Sequence, residues 1–307
     1  MTIQPPAPGE PRRPSGPRDP GDAWVIAPTG ERYWGRFGAA GLLAVDAERG
    51  ILLQHRVGWS HHGGTWALPG GARHEHEDAG VAALREAREE AAVPPEAVRQ
   101  RFWSVLDLDI WSYTTVIADV IKPFDPQIAD AESVALEWVP VDEVADRPLH
   151  PAFASAWEHL GPLLSVRPAV VIDAANVVGS VPDGWWRDRA GAAGRLIDRV
   201  SGWQARGVDA NALGLPGAHW FPAVAVVLEG QAKGAARPAD ESGAGIRVVL
   251  APGEGDDEIV AQTQRRIGGG EQVVVVTSDR GLADRVSDAG ARVVGAGWLL
   301  DQLDARA

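Results

Sequence analysis

The chain contains no cysteine. That excludes disulfides and any zinc–thiolate site, and it suits a reducing compartment, so a cytoplasmic protein is expected. No apolar run approaches the roughly 18 residues that a membrane-spanning helix needs. A membrane partner is therefore not expected. The N-terminus lacks an apolar segment of the kind that drives secretion. Lysine is rare, and the formal net charge is −13, which disfavours holding nucleic acid mainly by bulk electrostatics. What the chain does have is length and apolar content. Its 307 residues, 45% of them hydrophobic, suit two domains with well-formed cores.

Residues 1–21 carry Pro5, Pro6, Pro8, Pro11, Pro14, Pro17 and Pro20 among polar residues. Such a stretch buries too little surface to offset its ordering entropy, so it is expected to be a disordered tail. From Asp22 onward the pattern is globular. Ala39–Val45 and Ile51–His55 are apolar runs separated by Asp46-Ala47-Glu48-Arg49-Gly50, which predicts a hairpin. Strands are expected over Phe102–Ile110, Ser112–Ile121 and Ala135–Val139, and a closing helix over Pro151–Leu164. Gly161-Pro162 and Arg167-Pro168 bracket an expected short linker. His55, His61, His62, His74 and His76 show no tight helical or finger spacing, and they read as loop and pocket-rim histidines.

Within Gly71–Val93, Glu86, Glu89 and Glu90 stand at i, i+3 and i+4, which on a helix places three carboxylates on one face. The spacing leaves two readings open. One is a solvated acidic face crosslinked by Arg85 and Glu89. The other is a set of hard oxygen ligands for Mg2+ or Mn2+. The stretch GARHEHEDAGVAALREAREEAAV resembles the Nudix box through Gly71, Glu77, Arg85, Glu86, Glu89, Glu90 and Val93, with Trp66–Gly71 as its lead-in. Ala87 stands where a larger aliphatic residue is common, and Ala92 where the family has glycine. If position 92 needs a left-handed backbone, alanine there costs about 1 kcal/mol.

The second half has a different pattern. Ala169–Ile172, Ala223–Leu228, Ile246–Leu250, Gln272–Val276 and Ala291–Val294 are valine-rich runs without strict alternation, separated by helical or loop segments. They predict a Rossmann-like parallel sheet buried on both faces. Asp173, Glu229, Asp256, Asp257 and Asp279 follow the carboxyl ends of these runs, where an open α/β sheet forms its crevice. They read either as helix caps or as a metal centre. Val171–Gly179, Gly255–Ile259 and Thr277–Arg280 resemble motifs of PIN-like NYN domains. Trp185, Trp186, Arg187, Arg189, Arg195, Arg199, Trp203 and Arg206 interleave aromatic and basic residues. They suit either base stacking or an amphipathic helix with its tryptophans in the core. Residues 165–307 carry 15 Lys and Arg against 18 Asp and Glu, net −3, which leaves −10 for residues 1–164.

The expected architecture is therefore α/β throughout. A tail over 1–21 precedes a Nudix domain over 22–164, an α/β/α sandwich with a mixed sheet. A PIN-like NYN domain over 168–307 follows. The first resemblance implies metal-dependent hydrolysis of a nucleoside diphosphate linked to another group. Glu86, Glu89 and Glu90 would hold Mg2+ or Mn2+, and one of them would activate water. Arg85 and Glu77 would brace the helix, while Gly70 and Gly71 would let the backbone approach the phosphates. The second resemblance implies a two-metal ribonuclease with Asp173, Asp256, Asp257 and Asp279 as ligands. Asn176, Ser278 and Lys233 would contact phosphate or RNA. A joint role in RNA processing or decay follows from that pairing. The alternative is a Nudix nucleotide sensor that regulates an RNA-binding domain without turnover. Oligomeric state is open, with a homodimer as one option.

Overall fold

The computed structural model describes residues 1–7, 21–236 and 246–305. The chain divides into two units, Met1–Leu164 and Ser165–Ala307.

In the first unit, β1 (Thr2–Gln4), β2 (Trp24–Ile26) and β3 (Arg32–Trp34) form a small antiparallel sheet. The expectation of a disordered tail over 1–21 fails at β1. Thr2 and Ile3 are β-branched residues ahead of the first proline, and they pair with Ile26 and Val25. The rest of that expectation falls mostly on 8–20, which lie outside the described residues.

β4 (Ala39–Asp46) and β5 (Gly50–Arg56) form the hairpin. Asp46 Oδ1 accepts the backbone N–H groups of Glu48 and Arg49, each at 3.0 Å. Gly50 closes the turn at φ +94°, a conformation that favours glycine. Short β6 (Trp66–Ala67) pairs with β5, and β7 (Gly70–Ala72) pairs with β4. The helix α1 (Ala79–Ala91) follows, then β8 (Val98–Asp107), β9 (Ser112–Val120), β10 (Ser133–Val139) and α2 (Pro151–Leu163). The strand order is β10–β5–β4–β9–β8. Only β4 and β9 run parallel, so the sheet is mixed.

The composition of α1 explains how it lies on this sheet. Ala79, Ala82, Ala83, Ala87 and Ala91 form its buried stripe and pack on Ala40, Leu42, Ala44, Leu52, Val116 and Ala118. Small side chains on both surfaces let the helix sit close to the strands. Glu86 and Glu90, at the margin of that stripe, are buried as a result. The expected linker starts later than the sequence suggests. Gly161 and Pro162 belong to the last turn of α2, where a missing proline N–H removes only one helical bond.

In the second unit, β11 (Pro168–Asp173), α3 (Ala174–Gly179), α4 (Arg189–Ala205) and the two-residue β12 (Val208–Asp209) come first. Next are α5 (Ala210–Leu213), β13 (His219–Trp220), β14 (Ala223–Leu228), β15 (Ile246–Leu250) and α6 (Gly255–Gly268). β16 (Gln272–Val276), α7 (Arg280–Asp288), β17 (Arg292–Val294) and α8 (Ala296–Asp304) complete it. The five valine-rich runs form one parallel sheet in the order β15–β14–β11–β16–β17. Central β11 is buried along its whole length, as a strand covered on both faces must be. Among the described residues, no helix is long and apolar enough to cross a membrane.

Candidate functional site

In the first unit a cavity of about 1190 Å³ lies beside α1. Glu86, Glu89 and Glu90 all line it. Asp78 starts the helix by accepting the N–H groups of Gly80 and Val81 at 2.8 and 3.2 Å. Ala92 ends it at φ 53° and ψ 31°, the left-handed conformation that glycine favours. With both ends fixed, the rotational phase of the helix is set, and the three glutamates share one side.

Their surroundings differ. Glu89 is half exposed, with 53% of its side chain in solvent. The Glu86 and Glu90 side chains are buried. Gly70 N–H donates to Glu90 Oε2 at 2.8 Å. The Glu90 carboxyl stands well above the usual carboxylate range, first through burial, then through the charges of Glu86 and Asp130.

Arg85 organises the flank. It donates from Nε and Nη2 to the two oxygens of Glu77 at 2.8 and 2.9 Å, and from Nη1 to Glu86 Oε1 at 2.6 Å. A fourth bond reaches the carbonyl of Ala72 at 3.0 Å. These bonds hold Glu77 below its ordinary range and outweigh the burial that would weaken the guanidinium. The pair of Arg85 with Glu89 is longer, 3.5 Å. Arg85 thus ties α1 to β7 and to the loop before the helix, more than it crosslinks an acidic surface.

The two glycines of the lead-in have crowded neighbours. A Cβ on Gly70 would stand 2.5 Å from Gly41 Cα, and one on Gly71 would stand 2.7 Å from the Glu86 carboxyl carbon. What these glycines make room for in this structure is β4 and the Glu86 side chain.

Sequence reasoning missed Asp130 and Glu132. They lie in the connection before β10, and a carboxylate oxygen of each lies within 4.8 Å of one on Glu90 and of one another. Local chemistry explains the approach. The last carbonyls of a helix lack intrahelical donors. Here Ala129 N–H reaches Glu90 O and Gln127 N–H reaches Ala91 O, both at 3.1 Å. Buried Gln54 donates to Ser133 Oγ, which donates to Asp130, each at 2.7 Å. No spacing in the sequence signals this docking.

Carboxylates gathered at a buried position suit a hard divalent cation, because without one they raise each other's pKa. The raised Glu90 beside Glu86, Asp130 and Glu132 meets that test. Aromatic side chains line the cavity as well. Tyr33 stacks on Trp111 with ring centroids 4.9 Å apart, and Trp111 Nε1 donates to the carbonyl of Trp34. Burial, then Glu90, raises the Tyr113 phenol, which keeps it neutral.

The histidines divide. His55 stacks on Trp66. His61 and His62 lie exposed in a loop that lines the cavity, and there they meet His150, a residue that sequence reasoning passed over. His150 Nδ1 accepts the Ala152 N–H at 3.2 Å and so caps α2. Its pKa is pushed down to about 4, by burial first and then by His62, Arg56 and His61.

In the second unit, the acidic residues at the sheet end are engaged in local structure. Asp173 Oδ1 accepts Asn176 N–H at 3.0 Å and Oδ2 accepts the Thr277 hydroxyl at 2.8 Å. Asn176 Oδ1 accepts Ser278 N–H, and Ser278 Oγ accepts Ala296 N–H. Asp279 caps α7, and Glu229 accepts Gly255 N–H. Asp257 accepts from Arg285 at 2.6 Å. Lys233 lies in the helical turn Gly230–Ala235. Burial raises both Asp173 and Asp256, and Glu229 adds to each. Among the described residues, no three acidic groups of this unit bring ligand oxygens within 4.8 Å of one another. In the aromatic and basic series, Trp203 is core, Trp186 is 57% exposed, and Arg199 pairs with Asp304.

Comparison with known proteins bears on the first unit. The NUDIX domain family matches residues 35–160. The Mycobacterium tuberculosis protein named "Putative 8-oxo-dGTP diphosphatase 3" is 47% identical over 153 residues, covering 47% of this chain and 70% of that protein. The Bifidobacterium longum "Nucleoside triphosphate pyrophosphatase/Nudix hydrolase fusion protein" is 40% identical over 147 residues, covering 45% of this chain and 30% of its own. Among solved structures, the M. smegmatis Nudix hydrolase RenU is 46% identical, with a TM-score of 0.44 over 47% of this chain and 96% of that one.

Proposed function

Since this chain belongs to the Nudix family, we propose that its first unit hydrolyses a nucleoside triphosphate or related nucleoside diphosphate derivative with Mg2+ or Mn2+. The observation that carries this reading is the convergence of Glu86, Glu89, Glu90, Asp130 and Glu132 on one cavity with an aromatic wall. An oxidised guanine nucleotide is the first substrate to try, by likeness to the M. tuberculosis protein.

Glu86, Glu90, Asp130 and Glu132 would hold the metal, and Glu89, open to solvent, would position or deprotonate water. A bound divalent ion supplies charge neutralisation on the phosphates. Arg85 keeps Glu86 and Glu77 fixed. Tyr33 and Trp111 offer a face on which a base can stack. The water oxygen would bond to one phosphorus while Glu89 takes its proton, the bridging P–O bond to that phosphorus would break, and the leaving phosphate oxygen would keep the electron pair. Mass analysis of products from a nucleotide panel, run with Glu89→Gln alongside, tests the assignment. Turnover that survives Glu89→Gln unchanged would remove Glu89 from it.

For the second unit we propose a PIN-like NYN domain that cleaves RNA with divalent metal, in RNA processing or decay. Support comes from the parallel sheet with Asp173, Asp256 and Asp279 toward its carboxyl ends, and from the burial that raises Asp173 and Asp256. Loss of single-stranded RNA cleavage in Asp173→Asn tests it. Nucleotide binding without turnover in either unit would favour a sensor that regulates an RNA-binding domain.

A further inference from the structure

His61 and His62 sit in the loop between β5 and β6, and His150 stands at the start of α2, almost ninety residues later in the chain. The fold brings all three rings together. Centroid separations are 4.2 Å for His61 and His62, 4.6 Å for His62 and His150, and 6.3 Å for His61 and His150. One ring nitrogen from each lies within 4.8 Å of one from each of the others. His61 also packs edge-on against Trp24, which limits its rotation. All three line the same cavity as the box glutamates.

We propose that His61, His62 and His150 form a second metal site, for a borderline-soft first-row ion of the Zn2+, Co2+ or Ni2+ class. The donor set distinguishes it from the carboxylate group. Three imidazoles are poor partners for Mg2+, which prefers oxygen, and good ones for Zn2+ and its neighbours. Three protein ligands also leave a fourth position for a further donor, the arrangement of zinc sites that react instead of merely bracing a fold.

Two features act against binding, and the site must overcome both. Arg56 donates to the carbonyl of His61, and its charge opposes a cation. His150 Nδ1 accepts the Ala152 N–H, which places the ring proton on Nε2. A metal on Nδ1 replaces that bond directly. A metal on Nε2 moves the proton to Nδ1 and ends the bond as well. Metal binding therefore exchanges a helix cap for a ligand bond and couples the site to the first turn of α2.

The test uses the full chain without added histidines, in excess Mg2+ to saturate oxygen-rich sites. Co2+ is titrated and its visible absorption is read, with Zn2+ displacement as a second readout. One Co2+ per chain is expected, displaced by Zn2+. His62→Asn is the leading variant, because asparagine tolerates the left-handed backbone of His62 at φ 53°. It should weaken Co2+ binding at least about tenfold, since even an outer-shell loss costs that much. His61→Ala should do the same, whereas Glu89→Gln should leave the spectrum unchanged. Co2+ binding that Mg2+ abolishes, or that both histidine variants retain at wild-type strength, would overturn the proposal. So would the absence of stoichiometric Co2+ and Zn2+ binding. None of these readouts depends on nucleotide turnover, so failure here is separable from failure of the hydrolase reading.

Discussion

Two small residues set the geometry of the box. Gly71 leaves room for the Glu86 carboxyl, which a Cβ would approach to 2.7 Å. Gly71→Ala should keep the fold by circular dichroism yet lower turnover by about 10²-fold, the scale of a roughly 1 Å misplacement of a reacting group. Wild-type turnover in that variant would show that Glu86 has slack. Ala92 is the reverse case, a residue with a side chain where none is wanted. Its left-handed φ of 53° matches the strain that the sequence pattern raised as a condition. Ala92→Gly should raise the unfolding free energy by about 1 kcal/mol in denaturant titration. At this scale the sequence was informative because the box is local. Gly71, Glu77, Arg85 and the three glutamates interact within 20 residues of chain. Asp130, Glu132 and His150 reach the cavity through tertiary docking, and no spacing announces them.

Among the elements, the β4–β5 hairpin offers a pH test away from the site. Asp46 accepts two backbone N–H groups and pairs with Arg49 at 2.7 Å. The Arg49 bond chiefly holds its carboxyl below the ordinary range. A depressed folded pKa means that its stabilisation is complete above the unfolded value of about 3.9 and fades as pH falls through the folded value. Asp46→Asn should therefore lower thermal stability at neutral pH and make the loss on acidification shallower than in the wild type. Parallel acid limbs for the two proteins would count against this sign. Strand and helix identities were legible here because turn chemistry and apolar period agree, as at Asp46–Gly50. The linker was not, because Gly161-Pro162 reads as a break although a proline in a final helical turn is tolerated.

For the whole molecule, the valine-rich runs announced a parallel sheet, and the sheet exists with all five runs in it. Acidic residues after those runs did not announce their roles equally well. Asp173 and Asp279 cap helices and Asp257 pairs with Arg285, so a capping pattern and a ligand pattern share the same residues. In the first unit the two buried glutamates are matched unequally: Arg85 pairs with Glu86, whereas burial, Glu86 and Asp130 raise the Glu90 carboxyl. The most direct measurement is the rate of nucleoside triphosphate hydrolysis by the full chain, with and without Mg2+, beside Glu89→Gln. Turnover should need the metal and fall by about 10²-fold or more in the variant, the scale of a lost general base. Hydrolysis that ignores both metal and Glu89, or no hydrolysis of any nucleotide while nucleotide still binds, would contradict the hydrolase reading.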